Sequence, residues 1–380
     1  MTPELRADLI RLRHDLHRQP ELSGQEMQTA AKIASLMRDL GADEVLTGIG
    51  GHGVAAVFNG SRPGPIASIR CELDALPIPE ETGVPHASEI PGKAHLCGHD
   101  GHMTMAVAVA HALAAKRPAT GRAVLIFQPA EETGKGAPAF RADPQFAAFA
   151  PDIVFSLHNL PGLALGHVEI CRTAANCASR GMRIVLTGKT SHAAAPQDGL
   201  SPGGVMAQLM PQLAGLGQGG CLDDNYALTT LTHARLGEPT FGIAPGQGEI
   251  WVTLRTVTDA CMTALMARAE ALVESTAQAA GLQVHVTYDD IFEACTNDPT
   301  AVGHLVQACQ SLNVPVRLTD SPQRFSEDFG QFGKSAQAAM FWLGAGTGLP
   351  QLHNPDYDFP DALIPTGAAV FETALRQVLG

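Results

Sequence analysis

Three short apolar runs, Ile66 to Leu73, Ala123 to Phe127 and Ile153 to Leu157, are each followed by side chains that can bind a cation or move a proton: Asp74, the pair Glu131-Glu132, and His158. A fourth reactive segment reads His95-Leu96-Cys97-Gly98-His99-Asp100-Gly101-His102 and precedes an apolar helix expected from about Met103 to Ala115. A turn this dense in Cys, His and Asp can present thiolate and imidazole to a divalent metal. Taken singly, each feature has an ordinary explanation. A Cys-x-His pair is more often a plain loop, and adjacent glutamates are more often a solvated turn. His158, or the late His353 of Leu352-His353-Asn354-Pro355, reads alone as a hydrogen-bonded or loop histidine. Taken together, Cys97, His99, Glu132, His158 and His353 form the mixed sulfur, nitrogen and oxygen set that a cation site gathers from distant segments. Two carboxylates directly after a buried strand and Pro129 can also divide their work, one ligating and one handling protons.

The elements that must position these groups follow α/β grammar, in which ligands collect at the carboxyl ends of parallel strands. The three runs above and a late one, Ala339 to Leu343, are short, apolar and bounded by Gly or Pro, as strands of a buried central sheet should be. Leu5, Leu9, Leu12 and Leu16 recur at helical spacing behind the capping pair Thr2-Pro3, and a second helix is expected from about Glu26 to Leu40. Between about Ala178 and Asp290 the order becomes strand (Met182 to Thr187), helix (Gly203 to Leu216), strand (Tyr226 to Leu236), strand (Glu249 to Val257), helix (Cys261 to Ala280), strand (Gln283 to Tyr288). That β-α-β-β-α-β order is the ferredoxin-like unit, here inserted into a larger α/β domain. Asp259 and Gly281 mark the limits of its second helix. Two phosphate-loop look-alikes fail on context. Gly48 to Gly53 is followed by the strand-like Val54 to Phe58 rather than a helix, and Gly188-Lys189-Thr190 lacks its upstream glycine because position 183 is Arg183.

Composition narrows the function. A chain of 380 residues is more than one core usually fills, so one large and one smaller domain are expected. With 45% hydrophobic and 17% charged residues it should fold. A formal net charge of -13 argues against nucleic acid or an anionic membrane as partner and favours small substrates. The opening residues carry Glu4, Asp8 and Asp15 among their leucines, which denies them the apolar core of a signal peptide. No run reaches the roughly 18 apolar residues of a membrane span. Eight cysteines without a secretory signal read as reduced thiols in the cytoplasm.

Six segments together are familiar: Cys71-Glu72-Leu73-Asp74-Ala75-Leu76-Pro77, the Cys97 to His102 turn, Phe127-Gln128-Pro129-Ala130-Glu131-Glu132, Ser191-His192-Ala193-Ala194-Ala195-Pro196, Ser326-Glu327-Asp328-Phe329 and His353-Asn354-Pro355. In order, over nearly the whole chain, they resemble the amidohydrolase branch of the aminoacylase and carboxypeptidase metallopeptidases, which holds hippurate hydrolase and plant auxin-conjugate hydrolases. The resemblance implies a three-layer αβα catalytic domain with a central mixed sheet, formed by residues 1–177 and 291–380. This domain would carry two adjacent divalent cations: zinc, manganese, cobalt or nickel. Residues 178–290 would form a ferredoxin-like α+β lid through which the chain makes a homodimer. Carried over position by position, Cys97, His99, Glu132, His158 and His353 would be metal ligands, Glu131 the general base, and Asp74 a residue that orients a ligand. His192 would hold the carbonyl oxygen of an N-acyl amino acid substrate, and Arg255 would lie near its carboxylate. The sequence departs from this pattern at Glu72, where Asp is usual, at Gly242-Ile243-Ala244-Pro245, which lacks an asparagine, and through Thr133 to Pro144. A dipeptidase or another C-N hydrolase of the same fold is the competing reading. A non-catalytic metal-dependent binding protein is a further one, although a binding site needs no spare carboxylate such as Glu131.

Overall fold

The computed structural model describes all 380 residues, in two compact units. One comprises Met1–Ala175, Cys295–Asp320 and Glu327–Gly380; the other comprises Asn176–Ala294 and Ser321–Ser326. No helix is long and apolar enough to cross a membrane, and all eight cysteines carry free thiols.

The larger unit starts with helices α1 (Pro3–Arg18) and α2 (Met27–Asp39) and the hairpin of β1 (Glu44–Ile49) and β2 (Gly53–Asn59). It continues with β3 (Ile66–Glu72), α3 (His99–Ala115), β4 (Arg122–Gln128), β5 (Ile153–Pro161) and β6 (Val168–Cys171). The late strands Val316–Thr319 and Gln337–Gly346 complete an eight-stranded mixed sheet in the order β1, β2, β4, β3, β5, Gln337–Gly346, β6, Val316–Thr319. Its centre is parallel, since β3 pairs in parallel with both β4 and β5, and Gln337–Gly346 does so with β5. Alternation along these strands feeds two cores. Val54, Ala56, Leu125, Phe127, Phe155 and Leu157 face the layer that holds α1, α2, α3 and the last helix, Ile364–Leu379. Ala55, Val57, Val124, Ile126 and Val154 face Phe140, Phe146, Phe149, Phe329 and Phe332 on short helices of the opposite layer. A sheet covered on both faces explains why its strands read as continuous apolar runs.

The smaller unit has the expected β-α-β-β-α-β order, with strands Ala178–Thr187, Ala227–Leu236, Gln247–Thr256 and Gln283–Phe292 and helices Gly203–Ala214 and Asp259–Ala279. All neighbours are antiparallel and the spatial order is fourth, first, third, second, which is the ferredoxin-like arrangement. Its core sets Met182, Ile184, Ile250, Val252 and Leu254 against Leu209, Leu213, Leu265, Ala269 and Val273.

Three local expectations are corrected. Helix α3 starts at His99, not near Met103, because Gly98 takes a left-handed φ of 95° and turns the chain into the helix early. Strand β5 runs on to Pro161, so His158 lies within it rather than after it. Helix Asp259–Ala279 is capped by Thr258, which accepts from the Cys261 amide, while Asp259 instead accepts from the Ala294 amide.

The early start of α3 buries Asp100 in its first turn, where it meets α1. Arg13 Nε lies 3.3 Å and His17 Nδ1 2.8 Å from the Asp100 carboxylate, and His17 Nε2 lies 3.2 Å from Glu80; the Arg13, His17 and Asp100 side chains are fully buried. Burial opposes a charge on His17, but Asp100 and Glu80 outweigh it and raise its pKa from 6.5 to about 9. A group whose pKa rises on folding stabilises fully below its unfolded value and loses that contribution as pH rises through the folded one. Urea unfolding should therefore show a loss of about 3 kcal/mol between pH 6 and 10 that His17→Gln removes. An unchanged pH slope in that variant would contradict the assignment.

Candidate metal centre

The carboxyl ends of β3, β4 and β5 lie side by side in the sheet, and each delivers its reactive residue to one place. Asp74 follows β3, Glu131 and Glu132 follow β4, and His158 is the sixth of the nine residues of β5. The Cys97-Gly98-His99 turn enters from the start of α3, and His353 arrives on a loop behind Gln337–Gly346. His353 has a left-handed φ of 67°, and its amide is held by the Leu96 carbonyl at 2.9 Å, one residue from Cys97.

All five expected ligands converge. Cys97 Sγ lies 3.2 Å from His158 Nε2 and 3.3 Å from His353 Nε2. His353 Nε2 is 3.5 Å from Glu132 Oε2, and His99 Nε2 is 3.9 Å from Glu132 Oε1 and 4.0 Å from Glu131 Oε2. Cys97 is common to two groupings of compact donor atoms, one with His99 and His158, the other with Glu132 and His353. The outer ring nitrogens are already committed. His99 Nδ1 donates to the Asp74 carbonyl at 2.9 Å and His158 Nδ1 to the Asn159 carbonyl at 2.8 Å, which turns both Nε2 atoms inward, that of His158 toward the Cys97 thiol and that of His99 toward Glu132 and Glu131. His99 Nε2 and Glu132 Oε1 are buried with no hydrogen-bond partner. Orphaned buried donors of this kind are rare in proteins unless an ion or water completes them. The donor set thus fits divalent metal, with thiolate and imidazole suited to zinc, and imidazole and carboxylate also suited to manganese, cobalt or nickel.

Electrostatics agree. Burial, reinforced by Glu132 and Glu131, pushes the Cys97 thiol well above its usual range. Burial raises Glu132 to about 7 although His99 opposes it, and burial with Glu327, Glu132 and Asp328 raises Glu131 well above the usual carboxylate range. His99 rises to about 10; burial works against this, and Asp74, Glu72 and Glu132 overcome it. A cation would relieve this crowding of acceptors. Asp74 does not face the other donors as a ligand would. Its Oδ2 accepts from Ser23 Oγ at 2.7 Å and from the Glu132 amide at 3.0 Å, so it braces the ligand loop.

Several residues here carry roles that reading the sequence did not assign. Arg70 on β3 is fully buried and contacts Glu72, Glu327 at 2.8 Å, Asp328 at 2.6 Å and Gln128 at 2.9 Å. Glu72, the departure from Asp, also accepts from His102 Nδ1 at 2.7 Å, while His102 Nε2 lies 2.6 Å from Asn159 Oδ1. With both nitrogens engaged, His102 supports the site rather than ligating. Asn159 leans so closely on Gly98 that a Cβ there would come within 2.3 Å of its Oδ1. An arginine within an otherwise apolar strand, and the Glu327-Asp328 pair, were the available signals.

His192 and Arg255 belong to the smaller unit. His192 is exposed on a two-residue strand paired with Ile243–Ala244, and its Nδ1 accepts from the Ala194 amide at 3.1 Å. Arg255 Nη1 donates to the Arg324 carbonyl at 3.1 Å and to Ser326 Oγ at 2.9 Å.

A direct check is elemental analysis after incubation with zinc or manganese and desalting. The protein should retain metal, and the double variant Cys97→Ala, His99→Ala should lose at least one metal position. Equal retention by both would exclude these donors.

Comparison with known proteins matches residues 68–377 to the model of peptidase family M20/M25/M40. The chain is 32% identical over 366 residues to N-acetyldiaminopimelate deacetylase of Pediococcus pentosaceus, covering 95% of this chain and 94% of that one. It is 28% identical over 370 residues to N-acetylcysteine deacetylase of Bacillus subtilis, covering 96% and 94%. The crystal structure of a dinuclear metal-binding peptidase of the M20 family from Bacillus subtilis superposes with a TM-score of 0.85 at 25% identity, covering 100% of this chain and 99% of that one. Sequence match, fold and converging donors lead to one assignment: the chain belongs to peptidase family M20/M25/M40.

Proposed function

We propose that this chain is a metal-dependent amidohydrolase that cleaves the amide bond of N-acyl amino acids at a centre of two divalent cations, with Glu131 as general base. The observation that carries this reading is the placement of Glu131. It is a buried carboxylate 4.0 Å from the unpartnered His99 Nε2, beside the five converging donors, and it lies within ligand reach of His99 and Glu132 without belonging to either grouping built on Cys97. A binding protein has no use for such a group.

Cys97, His99, Glu132, His158 and His353 would hold the cations. Bound there, divalent metal supplies the positive charge that acidifies water and polarises an acyl carbonyl. Glu131 takes the proton from the attacking water and returns it to the departing nitrogen, because an amine leaves poorly unless protonated. Asp74 keeps the Glu132 amide, and with it the loop, in register. In the smaller unit, His192 Nδ1 accepts a hydrogen bond, so the ring proton resides on Nε2, where it can donate to the substrate carbonyl oxygen. Arg255 is assigned to the substrate carboxylate. Both curated relatives cited above are named as deacetylases of N-acetylated amino acids, which supports this substrate class. The reading also includes a cytoplasmic homodimer formed through the smaller unit.

Metal-loaded protein should release amine from N-acetyl or N-benzoyl amino acids, and chelation should abolish that release. Glu131→Gln should keep its metal and lose about 10² to 10⁴ in kcat. Full turnover at full metal content would sink the base assignment. His192→Ala should lower kcat and kcat/KM together while leaving metal content unchanged.

A further inference from the structure

The structure assigns a role to Glu26: we propose that it is a positioning residue for Glu131, fixing the backbone turn that aims the base. The inference rests on the reading of Glu131 as general base. Glu26 occupies the residue before α2, makes no side-chain capping bond to that helix and is fully buried. Its Oε1 accepts two amide hydrogens, from Gly24 and from Ala130, each at 2.8 Å. Oε2 is buried with no partner. A carboxylate buried to tie off a loop is a costly choice when a serine or asparagine could cap the helix, so its second bond, to a residue 104 positions away, needs a reason.

That bond falls on the residue before Glu131. Ala130 has a φ of 51°, left-handed and unfavourable for a residue with a Cβ. Such a conformation persists only where its surroundings over-determine it. The turn is closed by the Gly136 amide on the Ala130 carbonyl at 3.0 Å and by the Gly134 amide on the Glu131 carbonyl at 2.7 Å. It is tight enough that a Cβ on Gly136 would lie 1.7 Å from the Pro129 carbonyl oxygen. The Ala130 amide is bound by Glu26 and the Glu132 amide by Asp74, so two buried carboxylates grip the backbone on either side of Glu131. Both are braced from the same loop. Ser23 bonds Asp74, Glu21 Oε2 accepts from the Thr29 amide, and the Ala75 amide bonds the Glu21 carbonyl. Because Asp74 secures Glu132 independently, loss of Glu26 should release the peptide that orients the base and leave the ligand in place.

The test is a double-mutant cycle on metal-loaded protein, with metal content measured for every variant. Glu26→Ala should lower kcat about 10- to 100-fold with KM within about threefold and metal content unchanged, since small misplacements of a catalytic group cost rates of this order. Glu26→Gln retains a carbonyl oxygen for the Ala130 amide and should stay within about threefold of wild type. In the Glu131→Gln background, Glu26→Ala should cost less than about twofold, because no base remains to be misplaced. An equal loss in both backgrounds, a loss that matches a drop in bound metal or folded protein, or an undiminished kcat in Glu26→Ala would each overturn the proposal. Failure of the base reading would be visible separately, as wild-type turnover in Glu131→Gln itself.

Discussion

Imidazole nitrogens, a thiol and a carboxylate brought together at one point leave acceptors crowded and some without a partner, unless positive charge lies among them. The rest of the larger unit follows from this constraint. His99 and His158 are each turned by a hydrogen bond on the far nitrogen, so that the near one faces the other donors: that of His158 meets the Cys97 thiol and that of His99 has no hydrogen-bond partner. His353 is held in an unfavourable backbone conformation by the carbonyl of Leu96, which also leads into Cys97. A protein that sought only stability would satisfy these atoms with one another or replace them by apolar side chains. Here every supporting contact points the lone pairs inward.

The charges around the donors are balanced from outside the cluster. Glu72, Glu327 and Asp328 all bear on Arg70, and His102 adds a second contact to Glu72. Arg70 is the kind of cation that can serve several carboxylates at once, since its planar guanidinium offers five donors in a fixed fork. Removing one member of such a buried set typically costs about 3 to 5 kcal/mol, because the charge left behind has no water to turn to. On the other side, Arg13 and His17 neutralise Asp100 one residue from His99. The first turn of α3, which carries His99, is therefore anchored through its neighbours Asp100 and His102 by buried ion pairs.

Much of this was legible before any coordinates. A strand buried on both faces is mostly apolar, so a carboxylate just beyond it stands out, as Asp74, Glu131 and Glu132 do. The ferredoxin-like unit was readable because its helices and strands differ in period and are separated by turn residues. What was not legible depends on long-range pairing. Arg70 and Asp328 are 258 positions apart, and nothing local in either segment names the other. Glu26 looked like an ordinary helix-start residue, and its bond to Ala130 exists only because the loop after α1 folds back over β3 and β4. The start of α3 was set too late because His99, Asp100 and His102 do not continue the apolar pattern. They are helical because Gly98 takes a conformation that other residues avoid, and their polarity reflects the site they face.

The placement of strand Gln337–Gly346 beside β5 bears on how the chain is made. Synthesis runs from the amino terminus, so β3, β4 and β5 emerge with Cys97, His99, Glu132 and His158 long before their neighbour does. The whole smaller unit, Asn176–Ala294 with Ser321–Ser326, is translated in the interval. During that time β5 has one unpaired edge, and the donor set lacks His353, its last member in the chain. Pairing of that edge and arrival of the fifth candidate donor therefore both wait for the same late stretch of chain, Gln337 to His353.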